Sequence, residues 1–255
     1  MFKLEQKSLK NLVSACEWEV RVNLAACYRM VSIMGWDDLI HTHISAKIPN
    51  TEHYLVNAYG WGFDEVTASS LVKVDLDGNV IGDNMSDINP AGFTIHSAVH
   101  EARPDVMCVL HLHTNETATV ASQKCGLLPY SQYSMFSLNS LSYHSYEGLA
   151  VDEDERLTLQ NDLGSHNHML LINHGALTVG PTIGDAFMRM YDLQRACEIQ
   201  IMMQSTGQQI IKVNQSILDD VARQQKAVNL GKTGGVLTWP SILRRVHKKD
   251  ASFAS

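Results

Sequence analysis

The sequence predicts an α/β domain built on a mixed, mainly antiparallel sheet with helices on both faces. Two observations support this class. Stretches with helical apolar periodicity alternate with short runs of apolar and β-branched residues, and several neighbouring runs are joined only by tight turns. Tight turns connect antiparallel strands, because parallel neighbours need a long crossover. With 45% hydrophobic and 18% charged residues, the chain can also bury a sizeable core.

The helices are predicted from apolar periodicity and from residues typical of helix ends. Asn89 suits an N-cap and Pro90 suits the first helical position, while Gly35, Gly164 and Gly207 are natural stops. Thr114, Asp152 and Thr182 are further N-cap candidates. Helices are therefore expected at residues 8–34, 89–101, 114–124, 152–163, 182–206 and 215–230.

The strands are predicted at residues 44–48, 54–57, 71–75, 80–81, 106–113, 168–173 and 176–179. Residues 125–150 are rich in Ser and Tyr and are expected to be irregular. We find no low-complexity linker and no internal repeat, so residues 1–230 are interpreted as one domain and 231–255 as a C-terminal tail.

Charge and cysteine content limit the partners and the compartment. The net charge of −7 argues against general nucleic-acid binding, which needs clustered basic residues. The basic cluster near the C-terminus is interpreted as solvated, with weak contact to an anionic membrane as the alternative: Arg244, Arg245, Lys248 and Lys249. Five cysteines without a C-x-x-C pair are typical of reduced thiols. The sequence contains no run of about 18 apolar residues, so no transmembrane helix is predicted. We therefore expect a cytoplasmic protein.

The most informative motif is a pair of histidines at the end of a buried-looking strand. His111 and His113 are two residues apart, so their side chains point to the same face and can share one divalent ion. A lone H-x-H motif is more often a pair of hydrogen-bonded core histidines. His174 strengthens the metal interpretation, because Gly175 permits an unusual turn that aims it into a cleft. Three histidines with an open fourth position are typical of a catalytic site for zinc, with manganese, iron or nickel as alternatives.

The remaining histidines fall into three groups. His41 and His43 flank the first strand and are candidates for the same cleft. His96 and His100, four residues apart on one helix, are expected to be structural rather than a second metal pair. Four others are expected at the surface or in loops: His53, His166, His168 and His247.

These residues lie in motifs that resemble the class II aldolase/adducin family over residues 10–207. The motifs are Ala91-Gly92-Phe93-Thr94-Ile95-His96-Ser97-Ala98, Ala102-Arg103-Pro104-Asp105, Val109-Leu110-His111-Leu112-His113-Thr114 and Asn173-His174-Gly175. The resemblance is closest to the adducin head domain and its bacterial relatives, in residues 39–45, 65–73, 124–129 and 196–200.

The resemblance implies a three-layer α/β/α sandwich, a homotetramer with active sites between subunits, and a small-molecule carbonyl substrate. It implies that His111, His113 and His174 hold the metal. It further implies that Tyr143, supplied by a neighbouring subunit, is the proton donor.

The chain departs from the aldolases at the substrate pocket. Where they carry Ser-Ser-Glu, which holds a phosphate and moves a proton, this chain has Pro90-Ala91-Gly92, and His43 replaces a small asparagine. Phosphorylated ketoses are therefore poor candidate substrates. His43, Gly60 and Gly92 are the candidate substrate-binding residues.

Two functions follow from this combination. The first is a metal-dependent lyase for aldol cleavage or decarboxylation, in which His43 or Glu147 could replace the missing glutamate. The second is a non-catalytic, adducin-head-like interaction module that keeps the metal for structure and binds actin or spectrin. A sugar-binding relative without turnover is a third alternative.

Overall fold

The computed structural model describes residues 8–82, 84, 86–149, 153–211 and 213–255. Within these residues the helices are α1 Ala15–Ile33, α2 Pro90–Ala102, α3 Asn115–Ala121, α4 Gln132–Leu138, α5 Glu153–Leu163, α6 Ile183–Ser205, α7 Gln215–Val228 and α8 Gly234–Lys249. The strands are β1 His43–Lys47, β2 Tyr54–Val56, β3 Val72–Val74, β4 Val80–Ile81, β5 Cys108–Leu112, β6 Leu141–His144, β7 His168–Leu171 and β8 Gly175–Gly180. A short 3₁₀ helix follows at Ala251–Ala254.

The eight strands form one sheet in the order β4-β3-β2-β1-β5-β8-β7-β6. Every neighbouring pair is antiparallel except β6 and β7, which are parallel. This confirms the predicted mixed, mainly antiparallel sheet. Among the described strands the longest ladder joins β5 and β8, and β5 carries His111 of the predicted histidine pair.

Helices cover both faces of the sheet, which confirms the three-layer α/β/α architecture. One core packs residues of α1 and α6 against Leu110 and Leu112 of β5. The other packs α2 and α5 against Val109 of the same strand. Because side chains alternate along a strand, His111 lies on the Val109 face, under α2.

Most predicted helix starts are confirmed by side-chain caps. Asn89 accepts from the backbone amide of Ala91, and Thr182 accepts from that of Asp185. Helix α1 begins later than predicted, because Ser14 caps it. The segment before it is held instead by a hydrogen bond from the Leu9 amide to Ser69, 3.1 Å long. The Asp152 cap lies outside the described residues.

The expectation that residues 125–150 are irregular is wrong. Ser131 and Ser134 form a capping box that begins α4, and residues 141–144 form β6. Strand β6 pairs in parallel with β7, so its partner comes from a distant part of the sequence. The local sequence pattern therefore gives only a weak indication of this strand.

The helix predicted at residues 215–230 is confirmed as α7, but it is not the last helix, and residues 231–255 are not a simple tail. Thr233 caps a further helix, α8, whose apolar side buries Ile242 and Val246 in the main core. Phe253 of the following 3₁₀ helix is also buried there. The side chains of the basic cluster are exposed on α8: Arg244, Arg245, Lys248 and Lys249. No helix among the described residues is long and apolar enough to cross a membrane.

Candidate metal centre

Three histidines meet where β5 ends and where the chain turns from β7 to β8. His111 is in β5, His113 follows that strand, and His174 is in the β7–β8 turn. Each offers one ring nitrogen, and these three atoms lie within 4.8 Å of one another. The spacing predicted the first two to share a face, and the antiparallel pairing of β5 with β8 brings the third beside them.

The β7–β8 turn is built differently from the sequence-based expectation. The residue with a left-handed backbone is Asn173, with φ +57°, and not Gly175. Gly175 is needed for close packing, because a Cβ at this position would overlap the Leu112 carbonyl oxygen and lie 3.1 Å from the His113 ring. A glycine here therefore lets the turn approach the end of β5.

Neighbouring groups fix the proton position on two of the rings. Nδ1 of His111 lies 3.1 Å from the carbonyl oxygen of Ala176, and Nδ1 of His113 lies 3.2 Å from a carboxylate oxygen of Asp38. Both oxygens accept, so both Nδ1 atoms donate. In neutral rings the two Nε2 atoms then carry lone pairs, and they face each other at 2.8 Å. Two lone pairs at this distance repel each other, and a cation between them removes the repulsion.

The electrostatics keep these rings in the neutral, ligand-competent form. Burial, followed by the neighbouring histidines, places the pKa of His111 well below its usual value. Burial also lowers the pKa of His113, although the Asp38 carboxylate opposes this shift. Burial lowers the pKa of His174 to about 4. Near neutral pH all three imidazoles can therefore donate a lone pair to a metal ion.

His43 lies directly beside this group. It pairs with His111 across β1 and β5, and the two ring centroids are 5.1 Å apart. A Cβ added to Gly92 would lie 2.7 Å from Cδ2 and 2.9 Å from Nε2 of His43. The imidazole of His43 therefore fills the space that a side chain at position 92 would need. Two of the three predicted substrate-binding residues, His43 and Gly92, are thus brought together.

Behind His43 lies a buried group that includes the predicted structural pair on α2. His96 is hydrogen-bonded to His43, and Ser45 links His96 to His100. Burial is the main cause that lowers the pKa of His96 well below its usual value and that of His100 to about 3. Ser45 and Asp38 give no local signal in the sequence, because their partners come from other elements.

The two tyrosines and Gly60 have local contacts of their own. The hydroxyl of Tyr143 accepts a 2.9 Å hydrogen bond from the Leu127 amide, and its ring packs on Gly126. Tyr146, which the sequence analysis did not select, has its ring 6.5 Å from that of His174. Gly60 lies in an exposed turn with φ +89°, where an added Cβ would meet nothing within 4 Å.

Glu147 and His168 each make a hydrogen bond to a residue outside the metal centre. Glu147 accepts a hydrogen bond from Thr158, 2.9 Å long. His168 was expected at the surface, but it is buried in β7, with Nδ1 3.2 Å from the Ser140 carbonyl oxygen. The residues of β7 are buried on both faces of the sheet. A prediction from the polar character of His168 alone therefore places this side chain wrongly at the surface.

A mixed sheet between two helical layers, with three histidine side chains clustered at the end of a central strand, is the arrangement of a class II aldolase-type domain. The family model described as "Class II Aldolase and Adducin N-terminal domain" matches residues 22–201. The chain belongs to this family.

Relatives cover both branches of the family. A Pseudomonas aeruginosa protein named as a class 2 aldolase is 54% identical over 243 residues, which is 94% of each chain. The crystal structure of an aldolase II superfamily protein from Pseudomonas syringae is 42% identical, covers 98% of this chain and 100% of that one, and superposes with a TM-score of 0.91. Alpha-adducin of Mus musculus is 44% identical over 186 residues, covering 71% of this chain but 25% of the adducin.

Proposed function

We propose that the protein is a divalent-metal-dependent carbon–carbon lyase acting on a small, non-phosphorylated hydroxy-carbonyl compound. The reaction class is aldol cleavage or decarboxylation. The observation that carries the proposal is the pair of Nε2 lone pairs of His111 and His113, which face each other at 2.8 Å with His174 beside them. This arrangement favours a bound cation over a hydrogen-bonded core.

His111, His113 and His174 would hold the ion; zinc is the proposed metal, with manganese, iron or nickel as alternatives. When bound, such an ion polarises a carbonyl group and stabilises the negative charge that develops on its oxygen. Ala176 and Asp38 orient two of the rings through their Nδ1 atoms. The bound substrate would face these rings on one side and His43 on the other.

The pocket favours substrates without a phosphate. Pro90, Ala91 and Gly92 offer no polar side chain to a phosphate, and the His43 ring occupies the space next to Gly92. No carboxylate is contributed from position 92 to remove a proton. Decarboxylation needs no base to begin, so it tolerates this loss better than aldol cleavage does.

The proton that completes either reaction would come from a tyrosine. We propose Tyr143, which is 39% exposed and therefore available to a neighbouring subunit of a homotetramer. Tyr146 is the tyrosine whose ring lies near His174 within the chain. Exchange of subunits between variants distinguishes these two donors.

The test combines metal analysis with substrate screening. Protein loaded with zinc, manganese, iron or nickel is assayed against hydroxy-keto acids and ketoses, and elemental analysis gives the metal content. The His111→Ala, His113→Ala double variant should lose metal and turnover together, whereas His247→Ala, on exposed α8, should keep both. Stoichiometric metal in the double variant would overturn the site, and no turnover by metal-loaded wild type would overturn the lyase.

The second candidate is an adducin-head-like interaction module. It is favoured by the 44% identity to alpha-adducin and by glycine at position 92. Co-sedimentation with actin filaments tests this candidate, and binding that survives the His111→Ala, His113→Ala change would support a role independent of catalysis.

A further inference from the structure

The hydroxyl group of Tyr143 is held by residues 123–128, which we call the tyrosine loop. The phenolic oxygen accepts a 2.9 Å hydrogen bond from the Leu127 amide. The ring also lies against Gly126, where an added Cβ would overlap the phenolic oxygen and lie 2.9 Å from Cζ of the tyrosine. One polar contact and one steric contact therefore set the position of this hydroxyl.

A buried glutamine of α6 holds the tyrosine loop on both sides of Leu127. Oε1 of Gln200 accepts from the Leu128 amide at 2.7 Å, and Nε2 donates to the Gly126 carbonyl oxygen at 2.8 Å. Nε2 also donates to Oε1 of Gln123 at 2.9 Å, so both of its protons are used on this loop. Gln200 is 0% exposed, and the Leu127 side chain is buried in the main core. The Leu127 amide is therefore fixed from three directions.

Gly126 gives the tyrosine loop its close approach to the phenol. Its backbone is left-handed, with φ +59°, a conformation that glycine adopts without the cost that a side chain would bring. Its amide donates to the Gln123 carbonyl oxygen at 2.9 Å, which closes the turn. Both the backbone conformation and the contact with Tyr143 require a residue without a Cβ at this position.

The hydrogen bond from Leu127 decides where the phenolic proton points. A backbone N–H can only donate, so the phenolic oxygen is the acceptor and its own proton points away from Leu127. The same N–H stabilises the phenolate that remains when the proton leaves. Burial raises the pKa of Tyr143 above its usual value, and the Leu127 amide opposes part of this rise. The contact therefore favours release of the proton.

We propose that Gln200 and Gly126 are positioning residues that, through the Leu127 amide, hold the Tyr143 hydroxyl ready to donate its proton. Delivery of this proton to a substrate rests on the proposed function. The hold on the hydroxyl rests on contacts within this chain alone. A glutamine that only stabilised the fold would not change the acidity of a phenol, and this difference provides the test.

The first test measures the acidity of the phenol without a substrate. Difluorotyrosine at position 143 ionises near neutral pH, and its fluorine resonance follows the titration. In Gln200→Met, which keeps the length of the side chain but loses its hydrogen bonds, the acid dissociation constant should fall about tenfold, the order expected for one hydrogen bond to a charged group. Gly126→Ala, which displaces the hydroxyl, should act in the same direction.

A second buried glutamine of α6 provides the matched control. Gln194 is 1% exposed, and its hydrogen bonds are made outside the tyrosine loop, with Thr114, Glu116 and Glu198. Gln194→Met should leave the acidity of the phenol unchanged. Denaturant unfolding of both methionine variants shows whether their stabilities are comparable.

The second test needs no change in the core, so it remains decisive if Gln200→Met does not fold. Tyr143 is 39% exposed, and Tyr143→Phe removes only its hydroxyl. Hydrogen exchange of the Leu127 amide should then become about tenfold faster, because the amide loses its acceptor. An unchanged exchange rate would overturn the contact on which the proposal depends.

The outcomes separate this proposal from the lyase proposal. Unchanged acidity in Gln200→Met, or an equal change in Gln194→Met, would overturn the positioning role. If the metal-loaded wild type turns over no carbonyl compound, the lyase proposal fails, but the titration and the exchange rate still decide whether the loop holds the hydroxyl. With a substrate that is turned over, Gln200→Met should lower kcat without raising KM, and it should add nothing in a Tyr143→Phe background.

Discussion

The contact between Gly92 and His43 makes a quantitative prediction about stability. In Gly92→Ala the new Cβ would lie 2.7–2.9 Å from three atoms of the His43 ring. This ring cannot move away freely, because His96 holds its Nδ1 atom at 2.8 Å. Overpacking of this kind costs about 1–3 kcal/mol. Alanine also favours a helix over glycine by about 1 kcal/mol, which offsets part of the cost.

The sign of the effect should reverse when His43 is removed. In a His43→Ala background the overlap is absent, so Gly92→Ala should be neutral or stabilise α2 by up to about 1 kcal/mol. The coupling between the two positions is then about 1–3 kcal/mol, the overpacking energy itself. Denaturant unfolding of the wild type, the two single variants and the double variant measures this coupling.

A glycine without such a neighbour provides the control. Gly234 begins α8, and its nearest neighbour to an added Cβ is 3.7 Å away. Gly234→Ala should therefore be neutral or stabilising in both backgrounds. Equal destabilisation by Gly92→Ala with and without His43 would refute the view that this imidazole occupies the side-chain space of position 92.

Three further predictions concern the metal, the buried histidines and the proton donor. Zinc at a hundredfold excess over its Kd should stabilise wild type and His247→Ala by about 2.7 kcal/mol, but it should not stabilise the His111→Ala, His113→Ala variant. Thermal unfolding with and without zinc measures this difference, and equal shifts in all three proteins would contradict the site. His168 has its pKa lowered from 6.5 to about 4, so the folded state binds fewer protons and stability should fall as the pH drops from 6.5 towards 4, by on the order of 2–3 kcal/mol. In unfolding titrations across this range His168→Gln should show a shallower decline, and an identical decline would contradict the assignment. Tyr143→Phe should lower kcat at least about a hundredfold, and mixing it with inactive His111→Ala should restore part of the activity if the tyrosine serves a neighbouring subunit. Failure of such mixtures, together with loss of activity in Tyr146→Phe, would instead favour the tyrosine near His174.

Local patterns predicted the centre of the fold well. The strand prediction assigned His111 and His113 to one face, and His111 lies in β5, a regular buried strand in which alternation is a fixed property of the backbone. The caps at Asn89 and Thr182 are similarly local, since each side chain binds an amide two or three residues away.

The missed features depend on contacts between distant residues. Strand β6 is defined by its parallel pairing with β7, and Asp38 reaches His113 across 75 positions. Helix α8 was missed because charged residues dominate its C-terminal half, although Ile242 and Val246 on its inner side are buried. The prediction that Gly175 permits an unusual backbone turn was also wrong. Gly175 is needed because the chain approaches Leu112 closely at this position, and not because of its own backbone conformation.

The three candidate ligands differ in how firmly the backbone holds them, and this difference has a kinetic consequence. His111 is in a central strand paired on both sides, whereas His174 is in a turn that contains the left-handed Asn173. Opening this turn costs fewer backbone hydrogen bonds than opening the sheet. Release of a bound ion should therefore begin at His174. The exchange rate of the metal should follow the opening rate of the β7–β8 turn, while the imidazoles of His111 and His113 keep their positions.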